Sequence, residues 1–213
     1  MNRHRVGLLG GTFNPVHQGH IELGLRVRAD FDLDRILYIL SARPPHKPIR
    51  SIPDAAVRFR MLEKALRPHP GLVPCDLEIG REQPSWTIDT ILELKDRFPG
   101  DLFYFITGSE GFLKIRTWKE YRNVLDSVRF IIVLRRHDHG PKVEQILKDE
   151  AVPIIHGTAP AADPPSAYLV QYPSPHLTLS STRIRRRISL HQDVTGMVDP
   201  KNIAEVNELY ENQ

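Results

Sequence analysis

Cysteine is almost absent. One residue, Cys75, stands among 213, so no disulfide can form within the chain. A four-cysteine zinc site is excluded, and a reducing cytoplasm is the expected setting. No apolar run approaches the roughly 20 residues that span a bilayer, so no membrane partner is expected. The basic N-terminus MNRHRVGLLGG has an apolar stretch only from Val6 to Leu9. That is too short for a secretory leader and reads as a first β-strand. Internal repeats and low-complexity tracts are missing. So are a G-x-G-x-x-G fingerprint after the first strand and a Walker A sequence. Charge of one sign is also scarce: the net charge is only +3. So small an excess suits anionic ligands such as phosphates and is too weak to argue for nucleic acid.

What is present is an ordinary globular composition, 40% hydrophobic and 26% charged, in a chain long enough for one substantial α/β domain. Short apolar runs alternate with helical periods. Strands are expected at 6–9, 36–40, 72–77, 102–107, 130–134 and 152–156. Helices are expected at 19–30, from Asp54 to Leu66, at 87–97 and from Pro141 to about Glu150. The Pro- and Ala-rich stretch 157–176 reads as a surface excursion with a short strand at Tyr168 to Gln171. A basic helix at 181–190 and an amphipathic one from Pro200 to Tyr210 close the chain. Alternation of this kind predicts βαβ units in a Rossmann-like, doubly wound parallel sheet. The expected organisation is an α/β domain at 1–178 and a small C-terminal helical part at 179–213, packed on the same domain. Ligands in such sheets bind beyond the carboxyl ends of the strands, so the loops at 10–20, 41–50, 78–86 and 107–118 matter most.

The first of these loops reads GGTFNPVHQGH over residues 10–20. Gly10 and Gly11 allow a tight turn and a close approach to a ligand, and Asn14-Pro15 is a turn dipeptide. His17 and His20 stand three apart at the mouth of a helix, which puts both rings on one face. With Thr12 and the helix N-terminus they would clamp a phosphate. Two histidines can also bind a metal or simply cap the helix, but no third metal ligand stands nearby. No residue here is an obvious nucleophile. That favours direct attack of one phosphate on another, helped by positioning and charge.

A second motif, LSSTRIRRR, spans 179–187. Ser180, Ser181 or Thr182 can cap a helix and bind oxyanions, and Arg183 follows within the first turn. Arg186 and Arg187 share part of that face. A solvated basic helix or a nucleic-acid patch is the alternative; it would not need the hydroxyl triplet in front.

The H-Q-G-H of His17 to His20 and the S-S-T-R-I-R of Ser180 to Arg185 together resemble the H-x-G-H nucleotidyltransferases, whose motif pair the class I aminoacyl-tRNA synthetases share in related form. PPHK at 44–47, PSWTIDT at 84–90, TGSEGF at 107–112, TWKEY at 117–121 and NELY at 207–210 resemble the bacterial nicotinate-mononucleotide adenylyltransferases over nearly the whole chain. Asn14 and Glu110 depart from it, since the family often has Asp at both positions.

The resemblance implies roles residue by residue. His17, His20 and Arg183 would stabilise the transferring α-phosphate of ATP. Gly10, Gly11, Thr12, Phe13, Ser180 and Ser181 would hold ATP, and Gly108 and Glu110 would lie by its ribose. Asn14, Lys47, Thr87 and Trp118 would bind the mononucleotide, with Trp118 stacked on the electron-poor pyridine ring. The reaction implied joins AMP from ATP to nicotinate mononucleotide, giving deamido-NAD and pyrophosphate in NAD biosynthesis. Mg²⁺ would be carried by the ATP phosphates, with no dedicated protein site for a metal. Nicotinamide mononucleotide or another phosphate is the alternative acceptor. An RNA-binding module is the alternative of another class, although no aromatic-basic RNA stripe is present. No nucleic-acid partner is expected, and the oligomeric state is not readable from the sequence.

Overall fold

A computed structural model describes residues 3–45, 52–134, 139–158 and 166–211. Seven parallel strands form one sheet in the order β3-β2-β1-β4-β5-β7-β6. They are β1 (Arg5–Gly11), β2 (Arg35–Leu40), β3 (Leu72–Cys75), β4 (Leu102–Gly108), β5 (Arg129–Val133), β6 (Ile154–His156) and β7 (Ala167–Val170). The helices are α1 (Gln18–Asp30), α2 (Ala55–Leu66), α3 (Thr87–Arg97), α4 (Ser109–Phe112), α5 (Tyr121–Ser127), α6 (Gly140–Asp149), α7 (Ser181–Ser189) and α8 (Ile203–Tyr210). The expected α/β class and parallel sheet are therefore found.

Strand alternation builds two cores, one on each face of the sheet. Ile36, Tyr38 and Leu40 of β2, Tyr104 and Ile106 of β4, and Ile131 and Val133 of β5 point to one face. Residues of α1, α2, α7 and α8 cover it, among them Ile184, Val206 and Tyr210. Leu37, Ile39, Phe103, Phe105, Phe130 and Ile132 point to the other, under α3 to α6. The segment at 179–213 thus completes the first core. Asn202, fully buried, ties it down by donating from Nδ2 to Met61 O of α2 at 2.8 Å.

The structure differs from the sequence reading in three places. The short strand expected at Tyr168 to Gln171 is β7, but it is buried and inserted between β5 and β6 instead of lying in a surface excursion. A four-residue run (Ala-Tyr-Leu-Val) is long enough to fill a slot in a sheet but too short to announce which slot. Residues 159–165 of the excursion lie outside the described residues. Helices α4 and α5 were not expected. They have four and seven residues, too few for a periodic signal. Finally, β3 stops at Cys75, short of residue 77.

Strand order reverses between β1 and β4, so the turns after these two strands flank a crevice at the carboxyl edge of the sheet. Helix α1 reaches that edge because Gly24 lets it sit against Tyr38: a Cβ on Gly24 would lie 2.0 Å from the Tyr38 hydroxyl. That hydroxyl, with its pKa raised by burial, donates to His20 O at 2.8 Å. Gly24→Ala is expected to break this contact and cost about 1–3 kcal/mol, as overpacking does, read as a lower urea midpoint with an unchanged slope.

Candidate active site

The turn after β1 is held from several directions. Gly11 O accepts from Ser41 N at 2.8 Å, at the end of β2. Thr12 O accepts from Arg58 of α2 at 2.7 Å. Asn14 O accepts from Arg185 of α7 at 2.6 Å, and Pro15 O from the Ser181 hydroxyl at 2.9 Å. The Asn14-Pro15 bond is cis, and Phe13 is buried with φ of 46°. The Asn14 side chain is buried and its Oδ1 accepts from the Tyr210 hydroxyl of α8. Burial pushes the Tyr210 pKa up to about 12, which keeps this hydroxyl a donor, against the opposing pull of the Arg185 and Arg58 charges.

His17 and His20 stack with ring centroids 3.7 Å apart. The His17 backbone N–H donates to His20 Nδ1 at 3.2 Å, so the His20 ring proton sits on Nε2. The ring of His20 also packs edge-on against Phe13, centroid to centroid 5.1 Å. Gly19 between the histidines is fixed by a close approach: a Cβ there would meet His176 O at 2.3 Å. This contact lays the segment leading into α7 against the start of α1. Glu22 of α1 reinforces it through Ser174 Oγ at 2.8 Å and His176 Nδ1 at 2.9 Å.

A cavity of about 420 Å³ opens at the crevice. One end is lined by Gly10, Gly11, Thr12 and His20, the other by Trp86, Thr87, Trp118 and Lys119, with Thr107 and Gly108 of β4 on its wall. Trp118 is half-buried and meets Phe105 edge-on at 5.7 Å. Lys119 Nζ pairs with Asp89 at 2.8 Å. Helix α3 begins beside them with Trp86 as its cap residue and no side-chain cap. Glu78 also lines the cavity. Burial pushes its carboxyl above the usual carboxylate range; the Thr90 and Ser85 hydroxyls and the Arg81 charge oppose that shift. Thr90 donates to Glu78 at 2.6 Å and accepts from Arg81 at 2.8 Å.

A model of the cytidylyltransferase-like family matches residues 8–187. The probable nicotinate-nucleotide adenylyltransferase of Geobacter metallireducens is 35% identical over 210 residues, covering 94% of each chain. This chain belongs to that family. The corresponding probable enzyme of Desulfitobacterium hafniense is 34% identical over 187 residues, 86% of this chain and 84% of its own. Among solved structures, the Plasmodium falciparum nicotinic acid mononucleotide adenylyltransferase complexed with NaAD aligns over 99% of both chains, with TM-score 0.79 and 19% identity. That likeness is one of fold.

Within this family member the sequence-derived residues are not all gathered at one place. Gly10, Gly11, Thr12, His20, Thr87, Gly108 and Trp118 line one cavity. Phe13, Asn14 and His17 are buried behind it. The Asn14 Oδ1 accepts from Tyr210. Ser180, Ser181 and Arg183 stand outside the lining at the start of α7. Ser180 caps the helix by accepting from Arg183 N at 3.2 Å, Ser181 holds Pro15, and the exposed Arg183 side chain makes no ion pair among the described residues. Glu110 is exposed in α4, and Lys47 lies outside the described residues.

Sequence reading missed Trp86 and Lys119, although each sits inside a motif block that it singled out. It also passed over Arg185, the arginine of α7 that reaches the first motif, because spacing alone did not separate it from Arg183. The Tyr210–Asn14 bond yields a direct expectation. Tyr210→Phe leaves a buried acceptor unsatisfied and should cost about 1–3 kcal/mol in denaturant unfolding; an unchanged midpoint would show that the bond carries no stability.

Proposed function

We propose that the chain transfers the AMP part of ATP to nicotinate mononucleotide, releasing pyrophosphate and forming deamido-NAD. The observation that carries this reading is a single cavity with two chemically different ends. The glycine turn, Thr12 and His20 make a phosphate end; two tryptophans and the start of α3, beside the Lys119–Asp89 ion pair, make an aromatic one. A phosphate oxygen of nicotinate mononucleotide attacks the α-phosphorus of ATP in line. The new P–O bond forms as the bond to the α,β-bridging oxygen breaks, and that electron pair leaves with pyrophosphate.

His20 donates from Nε2 to the α-phosphate as charge accumulates there, and the stacked His17 fixes its ring. Gly10, Gly11 and Thr12 let the ATP phosphates come close, with Phe13 packed beneath. Ser180, Ser181 and Arg183 at the start of α7 take the outer phosphates, and Gly108 and Glu110 the adenosine ribose. Mg²⁺ enters as part of Mg-ATP and neutralises charge on the leaving pyrophosphate. The donors at the phosphate end are imidazole, hydroxyl, guanidinium and backbone N–H, which suit phosphate oxygens. Among the described residues no group of three or more His, Cys, Asp or Glu is placed to hold a metal ion.

The acceptor ring lies between Trp86 and Trp118, by Thr87. Its carboxylate meets the backbone N–H groups at the start of α3 and the Lys119 ammonium, which Asp89 holds in place. Lys47, which follows β2 in the sequence, is assigned to the acceptor phosphate, while Asn14 acts through the shape of its turn. The reaction is placed in a reducing cytoplasm, which the lone Cys75 supports. No helix among the described residues is long and apolar enough to cross a membrane.

Pyrophosphate release from Mg-ATP, measured with nicotinate and nicotinamide mononucleotides side by side, tests the acceptor. Faster release with the nicotinate form is expected, and equal or reversed rates would overturn the choice. His20→Ala should lower kcat by on the order of 10²-fold, the loss seen when a transition-state donor is removed. A near-normal rate in that variant would remove His20 from the mechanism.

A further inference from the structure

Arg58 lies outside the cavity lining, on the first turn of α2, and no motif singles it out. Its side chain is 1% exposed. Four backbone carbonyls surround the guanidinium. Nε donates to Pro53 O at 2.9 Å, Nη1 to Thr12 O at 2.7 Å and Ser41 O at 2.9 Å, and Nη2 to Ala42 O at 3.1 Å. No carboxylate among the described residues lies within ion-pairing distance of it. Burial works against its charge, the Tyr210 hydroxyl and the Asp54 carboxyl favour it, and Asp54 itself caps α2 through Ala56 N at 2.8 Å.

A buried cation without a counter-ion is a costly way to pin a helix to a sheet, since an apolar side chain would do so with no charge to desolvate. What an apolar side chain cannot do is hold carbonyls. Three of the carbonyls held here, Thr12, Ser41 and Ala42, belong to the turns after β1 and β2, which meet at the phosphate end of the cavity, and the fourth, Pro53, stands just before α2; Thr12 and Ser41 both line the cavity. The same two turns are joined directly by Ser41 N donating to Gly11 O at 2.8 Å. A planar fork with five donors can serve four carbonyls from three directions, and a lysine ammonium with three donors cannot. The guanidinium charge also lies 2.7 Å from Thr12 O, next to the cavity lining, where positive potential favours an accumulating phosphate charge.

We propose that Arg58 is a positioning residue for adenylyl transfer: it rivets the turns after β1 and β2 into the geometry that receives the ATP phosphates and backs that site with a fixed positive charge. This rests on the transfer reaction proposed above. Arg58 acts through Thr12 and Ser41 and touches neither substrate.

The test uses the full chain with Arg58→Met, which removes charge and fork, and Arg58→Lys, which keeps the charge alone. Circular dichroism and thermal unfolding establish which variants are folded. For a folded Arg58→Met, kcat is expected to fall about 100-fold and KM for Mg-ATP to rise, while KM for nicotinate mononucleotide stays within about threefold. Arg58→Lys should lie between, with kcat down at least about tenfold. Millimolar guanidinium added to Arg58→Ala should restore activity saturably, where sodium chloride of equal ionic strength does not. Parent-like kcat in a folded Arg58→Met or Arg58→Lys overturns the proposal, as does a loss confined to KM for the acceptor. Failure of Arg58→Lys to fold assigns the residue to stability and overturns it too. A parent enzyme that releases no pyrophosphate with nicotinate mononucleotide defeats the substrate reading alone. Arg58 is then judged by Mg-ATP affinity, followed by tryptophan fluorescence: about tenfold weaker binding by Arg58→Met supports it, and unchanged binding overturns it.

Discussion

Four carbonyls between Gly11 and Pro15 are turned into the protein and held there, and the rest of the site depends on that restraint. Their donors are Ser41 N, Arg58, Arg185 and the Ser181 hydroxyl. Two of the four are guanidinium groups, and hydrogen bonds from charged donors contribute about 1.5–3 kcal/mol each, more than neutral ones. A glycine turn left to itself would sample many conformations. Held this way, the turn keeps its acceptors away from the crevice, so an incoming phosphate meets few oxygens of like charge. Preorganisation of this kind lowers the reorganisation needed when negative charge builds up at the reacting phosphorus.

The restraint explains why the last helices belong to the site. Arg185 and Ser181 of α7 and Tyr210 of α8 all end on Asn14 or Pro15, some 170 to 200 positions earlier in the chain. Ile184, Val206 and Tyr210 also complete the core on that face of the sheet. Packing and the shape of the turn are therefore linked: loosening α8 loosens the turn. The x-Gly between the two histidines has a matching cause, since only a residue without a Cβ lets His176 O approach α1 and deliver α7 to the turn.

Much of this was legible in the sequence because it rests on local chemistry. Strand runs such as Val6 to Leu9 and Ile36 to Leu40 follow from apolar patterning. The glycine turn, the histidine pair and the serine cap announce themselves by residue type. What escaped is non-local. β7 finds its slot between β5 and β6 through side-chain fit on both sheet faces, which a four-residue run does not encode alone. The sequence places Asn14 in a ligand loop but does not show that its Oδ1 accepts from Tyr210 at the far end of the chain. Arg58 reads as one more polar residue on an amphipathic helix; only the fold shows that it faces inward. Arg183 and Arg185 differ by two positions, which on a helix separates an exposed side chain from one directed at the first motif.

In the proposed transfer the α-phosphate passes directly from pyrophosphate to the acceptor within a preorganised turn, with neither His17 nor His20 as a covalent relay. The most direct measurement is the stereochemical course at the α-phosphorus, with ATP made chiral there by sulfur substitution and nicotinate mononucleotide as acceptor. Inversion in the dinucleotide product is predicted, since a single in-line displacement reverses configuration once. Retention would require two displacements through an enzyme-bound intermediate and would contradict direct transfer.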